Sequence, residues 1–234
     1  MSTGQLIIIH LIELLAAIVG VRFIQKYRED KVSRYFVWFL WFVVVIETFG
    51  LVPRLIKGLD SLSFLKNTFF AEDNYWLYNP YLIISFVFYI FFFSSQIRLK
   101  RNKIILKLLA ILFFISSVVN LVFTEVFFEA ISAYTFILGG VIIFIGIFLY
   151  FYEVFQSDNI LYFNKLFPFY VAVGTLVFHL TVTPLLIYSK YYSESSNPEF
   201  VKIYTTILTI ANIFLYTCYT IGFVVCSKKN KSYS

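Results

Sequence analysis

With 234 residues, 60% of them hydrophobic, only 14% charged and a mean hydropathy of +0.83, the chain has too little polar surface for a water-soluble domain. Its net charge of +6 comes with no basic soluble region, which excludes a nucleic-acid partner. Cys218 and Cys226 fall ~12 Å apart along one apolar run, too far to bridge, so neither a disulfide nor a redox role is expected.

A hydrocarbon core needs ~20 apolar residues per crossing helix. Seven runs reach that length: Gln5–Phe23, Tyr35–Leu55, Tyr78–Ile97, Lys103–Phe123, Ile131–Phe155, Leu166–Tyr188 and Phe200–Cys226. Each is apolar on nearly all faces, and none alternates with period 2 as barrel strands do. The pattern predicts an all-α polytopic membrane bundle of about seven transmembrane helices, one domain over residues 1–234. The first run follows no basic segment and is too long for a signal-peptide core, so it is expected to remain as a span.

Orientation follows from the breaks between runs. Fourteen of the 19 Lys and Arg residues lie in alternate breaks, at 22–34, 98–107, 165 and 228–231. By the positive-inside rule these face the cytoplasm, with the N-terminus outside and the C-terminus cytoplasmic. The excess charge then meets anionic lipid headgroups. The long outer break Lys57–Trp76 holds Asp60 as a helix cap and Leu62, Phe64, Leu65, Phe69 and Phe70 as an apolar face, which predicts an interfacial helix or a lid. Tyr27, Tyr35, Trp38, Tyr75, Trp76, Tyr78, Tyr188, Tyr191 and Tyr192 cluster at span ends as an interfacial aromatic belt.

Ionisable groups within a bilayer each cost ~2.5–3.5 kcal/mol and ask for a partner or a purpose. Four fall inside spans: His10 and Glu13 in the first, Glu47 in the second and His179 in the sixth. At about 1.5 Å per residue, Glu13 lies ~12 Å, Glu47 ~9–12 Å, His179 ~14 Å and His10 ~8 Å below the outer ends of their spans. Three helices thus bring carboxyl or imidazole groups to similar depth. They fit an interhelical hydrogen-bonded cluster, a ligand or proton site, or a zinc site, although no ligand-spacing motif supports the metal.

The last span carries a polar stripe, Thr205, Thr209, Asn212, Tyr216 and Thr220, on one face, and Ser116, Ser117 and Asn120 do the same in the fourth. Such side chains either bond back to their own helix or face a polar interior; Asn212 and Tyr216, near mid-depth, point to an interior. Gly139, Gly140, Gly146 and Gly174 predict close helix packing, and Pro53 and Pro184 predict kinks. Glu47 followed by Pro53 echoes His179 followed by Pro184, and Asn79-Pro80 echoes Asn197-Pro198. Two parallel three-helix repeats joined by the fourth span would produce that echo.

There is no mid-span Lys in the last helix for a retinal Schiff base, no desaturase-like His set, no Gly-x-Ser-x-Gly and no phosphate-binding loop. The expectation is a non-enzymatic protein without a cofactor or bound metal. Tyr152-Glu153-Val154-Phe155, then Leu166-Phe167-Pro168-Phe169-Tyr170 leading to Gly174, resembles small bacterial seven-helix membrane proteins, some encoded beside two-component sensor kinases. The resemblance covers the fifth and sixth spans and supplies no functional residue. It implies the bacterial inner membrane, a sensory or signalling role and a membrane partner such as a sensor kinase. The expected site is an outer-half ligand pocket of His10, Glu13, Glu47, His179, Asn212 and Tyr216, taking a small or lipidic ligand. The alternatives are a small-molecule transporter and a structural subunit of a membrane complex.

Overall fold

The computed structural model describes residues 2–27, 30–58, 64, 68, 73–189 and 197–227. Helices α1 (Thr3–Lys26), α2 (Lys31–Gly50), α3 (Val52–Gly58), α4 (Tyr75–Gln96), α5 (Lys100–Phe123), α6 (Val126–Glu129), α7 (Ala133–Phe155), α8 (Phe167–Ser189) and α9 (Pro198–Ser227) follow one another. A 3₁₀ segment, Asp158–Lys165, joins α7 to α8. Among the described residues, seven helical segments are long and apolar enough to cross a membrane, with α2 and α3 forming one of them. This is the construction of a multi-pass membrane bundle, and no strand occurs among the described residues.

Capping residues set where the helices start. The Ser2 hydroxyl accepts from the Gln5 N–H at 3.3 Å and Gln5 returns the bond to the Ser2 N–H at 2.9 Å, so α1 begins before its apolar run. Asp30, Ser132 and Asn197 accept from the N–H groups of Ser33, Thr135 and Phe200 at 3.0, 3.2 and 3.0 Å and open α2, α7 and α9. The kink expected at Pro53 is a break at Leu51: proline lacks an N–H and fits the first turn of a new helix, α3. At Pro184 the helix runs on to Ser189. Apart from residues 64 and 68, the segment expected as an interfacial helix over 60–70 lies outside the described residues, as do the belt residues Tyr191 and Tyr192.

The helices pack as a ring in the order α1, α2, α4, α7, α8, α9 and back to α1, with α5 outside in the groove between α4 and α7. Small residues permit the closest approaches. A Cβ on Gly139 of α7 would enter the ring of Phe86 on α4, and one on Gly222 of α9 would come within 2.8 Å of Tyr170 on α8. In the half of the bundle holding the C-terminus, Phe23, Phe36, Phe92, Phe167 and Phe223 fill the ring interior, all buried, with centroids 5.0 Å apart for Phe36–Phe92 and 4.4 Å for Phe167–Phe223.

The same end is tied by polar contacts. Glu153 of α7 accepts from the Arg98 N–H at 2.5 Å, the Leu99 N–H at 3.2 Å and the Asn102 amide at 3.4 Å, so it caps the start of α5 from a neighbouring helix. The hydroxyl of Tyr27 donates to the Ser227 carbonyl at 2.8 Å, as does the ammonium of Lys26, which closes the last turn of α9. Replacing Glu153 by alanine removes the only acceptor these two N–H groups have among the described side-chain contacts. Thermal unfolding of Glu153→Ala in detergent is expected to show a loss of about 1–3 kcal/mol; unchanged stability would mean that water serves the α5 terminus equally well.

Candidate functional site

The other half of the ring is hollow. A cavity of about 510 Å³ runs from Asp73 and Tyr75, near the end of the bundle where the chain begins, down to Thr175 and Tyr216. All six residues singled out in the sequence, His10, Glu13, Glu47, His179, Asn212 and Tyr216, line it. They come from α1, α2, α8 and α9, so the cavity is a product of the ring and not of any one helix.

Glu13 lies on the small-residue face of α1 with Ala16, Ala17 and Gly20, where α1 closes on its neighbours, and it is fully buried. Neither of its carboxyl oxygens has a hydrogen-bond partner among the described residues. One turn away, His10 places Nδ1 3.6 Å from Glu13 Oε2, beyond a hydrogen bond. His10 Nε2 is 3.4 Å from the Thr48 hydroxyl, whose own hydrogen goes to the Val44 carbonyl at 2.7 Å, so the imidazole N–H donates in that contact.

Glu47 is held differently. Its Oε2 accepts from the Tyr78 hydroxyl at 3.0 Å. Gly50 makes this possible, because a Cβ there would overlap the Tyr78 hydroxyl. The Gly50 carbonyl, freed where α2 ends, accepts from the Asn74 amide at 2.6 Å and fixes the start of α4 beside it. Tyr75 and Tyr78, expected in the aromatic belt, therefore turn into the cavity. Trp38, at 59% exposure, remains on the outer surface as a belt residue should.

His179 is buried among Phe86, Phe136 and Phe178, with ring centroids 5.2, 5.3 and 5.3 Å away. Its Nδ1 has no hydrogen-bond partner among the described residues. Below it, the Tyr219 hydroxyl lies 2.8 Å from that of Tyr89 and 3.0 Å from that of Thr175. Tyr89 and Thr175 line the cavity floor with Tyr219 behind them, and the Phe36 ring stands edge-on 5.0 Å from Tyr219. A single Tyr or Thr in an apolar run carries no sequence signal, so the floor was not foreseen; the hydroxyls gain meaning only when α4, α8 and α9 meet.

Other expectations have mixed outcomes. The polar stripe of α9 is largely turned on its own helix: Thr205, Thr209, Asn212 and Thr220 donate to the carbonyls of Lys202, Thr205, Leu208 and Tyr216 at 3.1, 2.7, 2.8 and 2.8 Å. Of the five, Asn212 and Tyr216 reach the cavity. No three His, Cys, Asp or Glu side chains among the described residues are placed to hold a metal, so the zinc alternative lacks its donor set. Asn79 and Asn197 are not equivalent either. Asn197 caps α9, whereas Asn79 sits inside α4 and gathers the loop before α7.

Among the described residues, the cavity lining holds Glu13, Glu47, Asp73, two histidines and six tyrosines, and no Lys or Arg. Such a set can accept and donate hydrogen bonds to a small molecule shielded from water. A larger cleft of about 640 Å³, beside α4 and α5, is lined mainly by apolar side chains such as Phe114, Val118 and Phe128. It has the character of a surface for lipid chains and offers little chemistry. No protein-family model matches the chain, and no curated protein or solved structure matches it. Fold and site together define a seven-helix bundle of multi-pass membrane construction with a polar cavity in one half.

Proposed function

We propose that the chain is a non-enzymatic receptor of the bacterial inner membrane. It binds a small or lipidic ligand in the cavity from the outer face and passes the bound state to a membrane partner, such as a sensor kinase. The observation that carries this reading is the cavity itself, with a buried carboxyl and a buried imidazole nitrogen turned into it and lacking hydrogen-bond partners among the described residues. Polar groups in that condition are costly to keep unless a ligand uses them. The basic residues lie mostly at the opposite end of the bundle, which supports an outward-facing cavity. The hydroxyl floor and phenylalanine layer favour binding over passage.

A second reading, a small transporter, draws on the ring order. Helices α1, α2 and α4 form one side, α7, α8 and α9 the other, and α5 stands outside as a linker between two parallel halves. In that reading the aromatic layer is a closed inner gate.

Sealed proteoliposomes containing the purified protein, screened over protons, sugars and small metabolites with Glu47→Gln as control, separate the two. The receptor reading expects no net uptake, together with thermal stabilisation by a ligand that Glu47→Gln weakens. Uptake abolished by Glu47→Gln would overturn it in favour of transport. Silence in both assays would leave a structural subunit in a membrane complex.

A further inference from the structure

We propose that the group this cavity recognises is an ammonium, carried on an aromatic or aliphatic body, with Glu13 as its counter-charge. The proposal rests on the cavity's being a ligand site and adds the chemical class.

Three features of the cavity point the same way. The first is the charge of the wall: Glu13, Glu47 and Asp73 line the cavity, and no Lys or Arg is among its described lining residues. An anionic ligand would find no Lys or Arg among those lining residues to pair with, whereas a cation would find three carboxyl groups.

The second is the difference between the two deep carboxyl groups. Glu47 already accepts from Tyr78 at 3.0 Å, whereas Glu13, with no exposure at all, accepts from nothing among the described residues. A buried carboxylate gains most from several charge-assisted donors at once, and an ammonium brings three N–H groups and the opposite charge. A hydroxyl brings one donor and no charge.

The third is the aromatic lining. Tyr78, Tyr81, Tyr204 and Tyr216 border the same space. The face of a phenol ring attracts a cation within about 6 Å. The unpartnered Nδ1 of His179, on a helix that does not adjoin α1 in the ring, offers a further hydrogen bond that would orient the body of the ligand. A cavity of about 510 Å³ accommodates a metabolite-sized amine, or the ethanolamine headgroup of a lipid entering from the outer leaflet. The recognised chemistry is the same in both cases.

The test uses the full-length protein in nanodiscs of phosphatidylglycerol, with thermal stability as the readout. Phenethylamine is compared with its neutral isostere phenethyl alcohol and with phenylacetate, and a parallel arm replaces part of the lipid by phosphatidylethanolamine. The expected result is stabilisation by phenethylamine at concentrations at least tenfold below those at which the alcohol acts, and none by phenylacetate. Glu13→Gln should weaken the amine's effect at least tenfold, and Glu125→Gln, outside the cavity, should leave it unchanged. If phosphatidylethanolamine stabilises and the free amine does not, the ammonium belongs to a lipid; the class stands, provided Glu13→Gln removes that effect too. Equal action of alcohol or phenylacetate, or an unchanged amine response in Glu13→Gln, overturns the class. The site reading survives that outcome if Val43→Trp, which fills the cavity, abolishes whichever probe bound. Stabilisation by neither phenethylamine nor phosphatidylethanolamine also overturns the class, and the metabolite screen above then judges the site reading by itself.

Discussion

Glu13→Leu is expected to raise the melting temperature of the ligand-free protein while abolishing its response to ligand. The two effects have one cause. Glu13 is fully buried on α1, and its oxygens lack hydrogen-bond partners among the described residues, so the folded state carries a desolvation cost that the His10 imidazole, 3.6 Å away, offsets only in part. Leucine has similar bulk and none of that cost; leaving a buried polar group unsatisfied costs about 1–3 kcal/mol, which the substitution recovers. A site maintained at the expense of stability is what a binding function leaves behind. Thermal unfolding with and without ligand checks both halves. If Glu13→Leu instead melts lower, Glu13 is part of a structural interhelical cluster, and the cavity loses its main argument.

The second large effect is expected at Asn79. Its amide nitrogen donates to the carbonyls of Val126, Phe127 and Ala130 at 3.1, 3.2 and 2.9 Å, and its oxygen accepts from the Ser132 N–H at 2.9 Å. Ser132 in turn caps α7 and donates to Asn120 at 3.0 Å, so one buried side chain on α4 holds the whole turn between α5 and α7. Backbone groups near the hydrocarbon need such partners because no water is at hand. Asn79→Ala should cost about 2–4 kcal/mol and expose residues 124–132 to protease. Ile131, in this turn, and Phe136, just after it, line the cavity, so ligand affinity should fall with stability. Wild-type melting with an intact loop would contradict this account of the turn.

Much of the fold was legible because the bilayer imposes length and apolarity on each span, and seven runs satisfied both. Ring order was not. Helices that are apolar on every face do not declare which face meets which neighbour, and the placement of α5 outside the ring depends on shape, such as the Gly139–Phe86 approach. The six polar residues were readable for a physical reason: Glu13, Glu47 and His179 stand out in hydrocarbon. Tyr75 and Tyr78 were read as surface anchors because tyrosine at a span end usually is one; the Asn74–Gly50 contact at the α2 terminus turns them inward. Glu153, quoted only as part of a loop pattern, acts as a helix cap across the bundle, a role that no local spacing encodes. The Asn79 and Asn197 echo was local similarity without equivalent position.

The most direct test of the central claim is the thermal stabilisation of the purified protein by a ligand drawn from the metabolite screen, compared between the wild type and Val43→Trp. Val43 lines the cavity and is otherwise enclosed by the bundle, so the indole would occupy the space a ligand needs. The account predicts a ligand-dependent rise in melting temperature for the wild type and none for Val43→Trp, with helical content unchanged between them. An equal rise in both proteins would place binding elsewhere and contradict it.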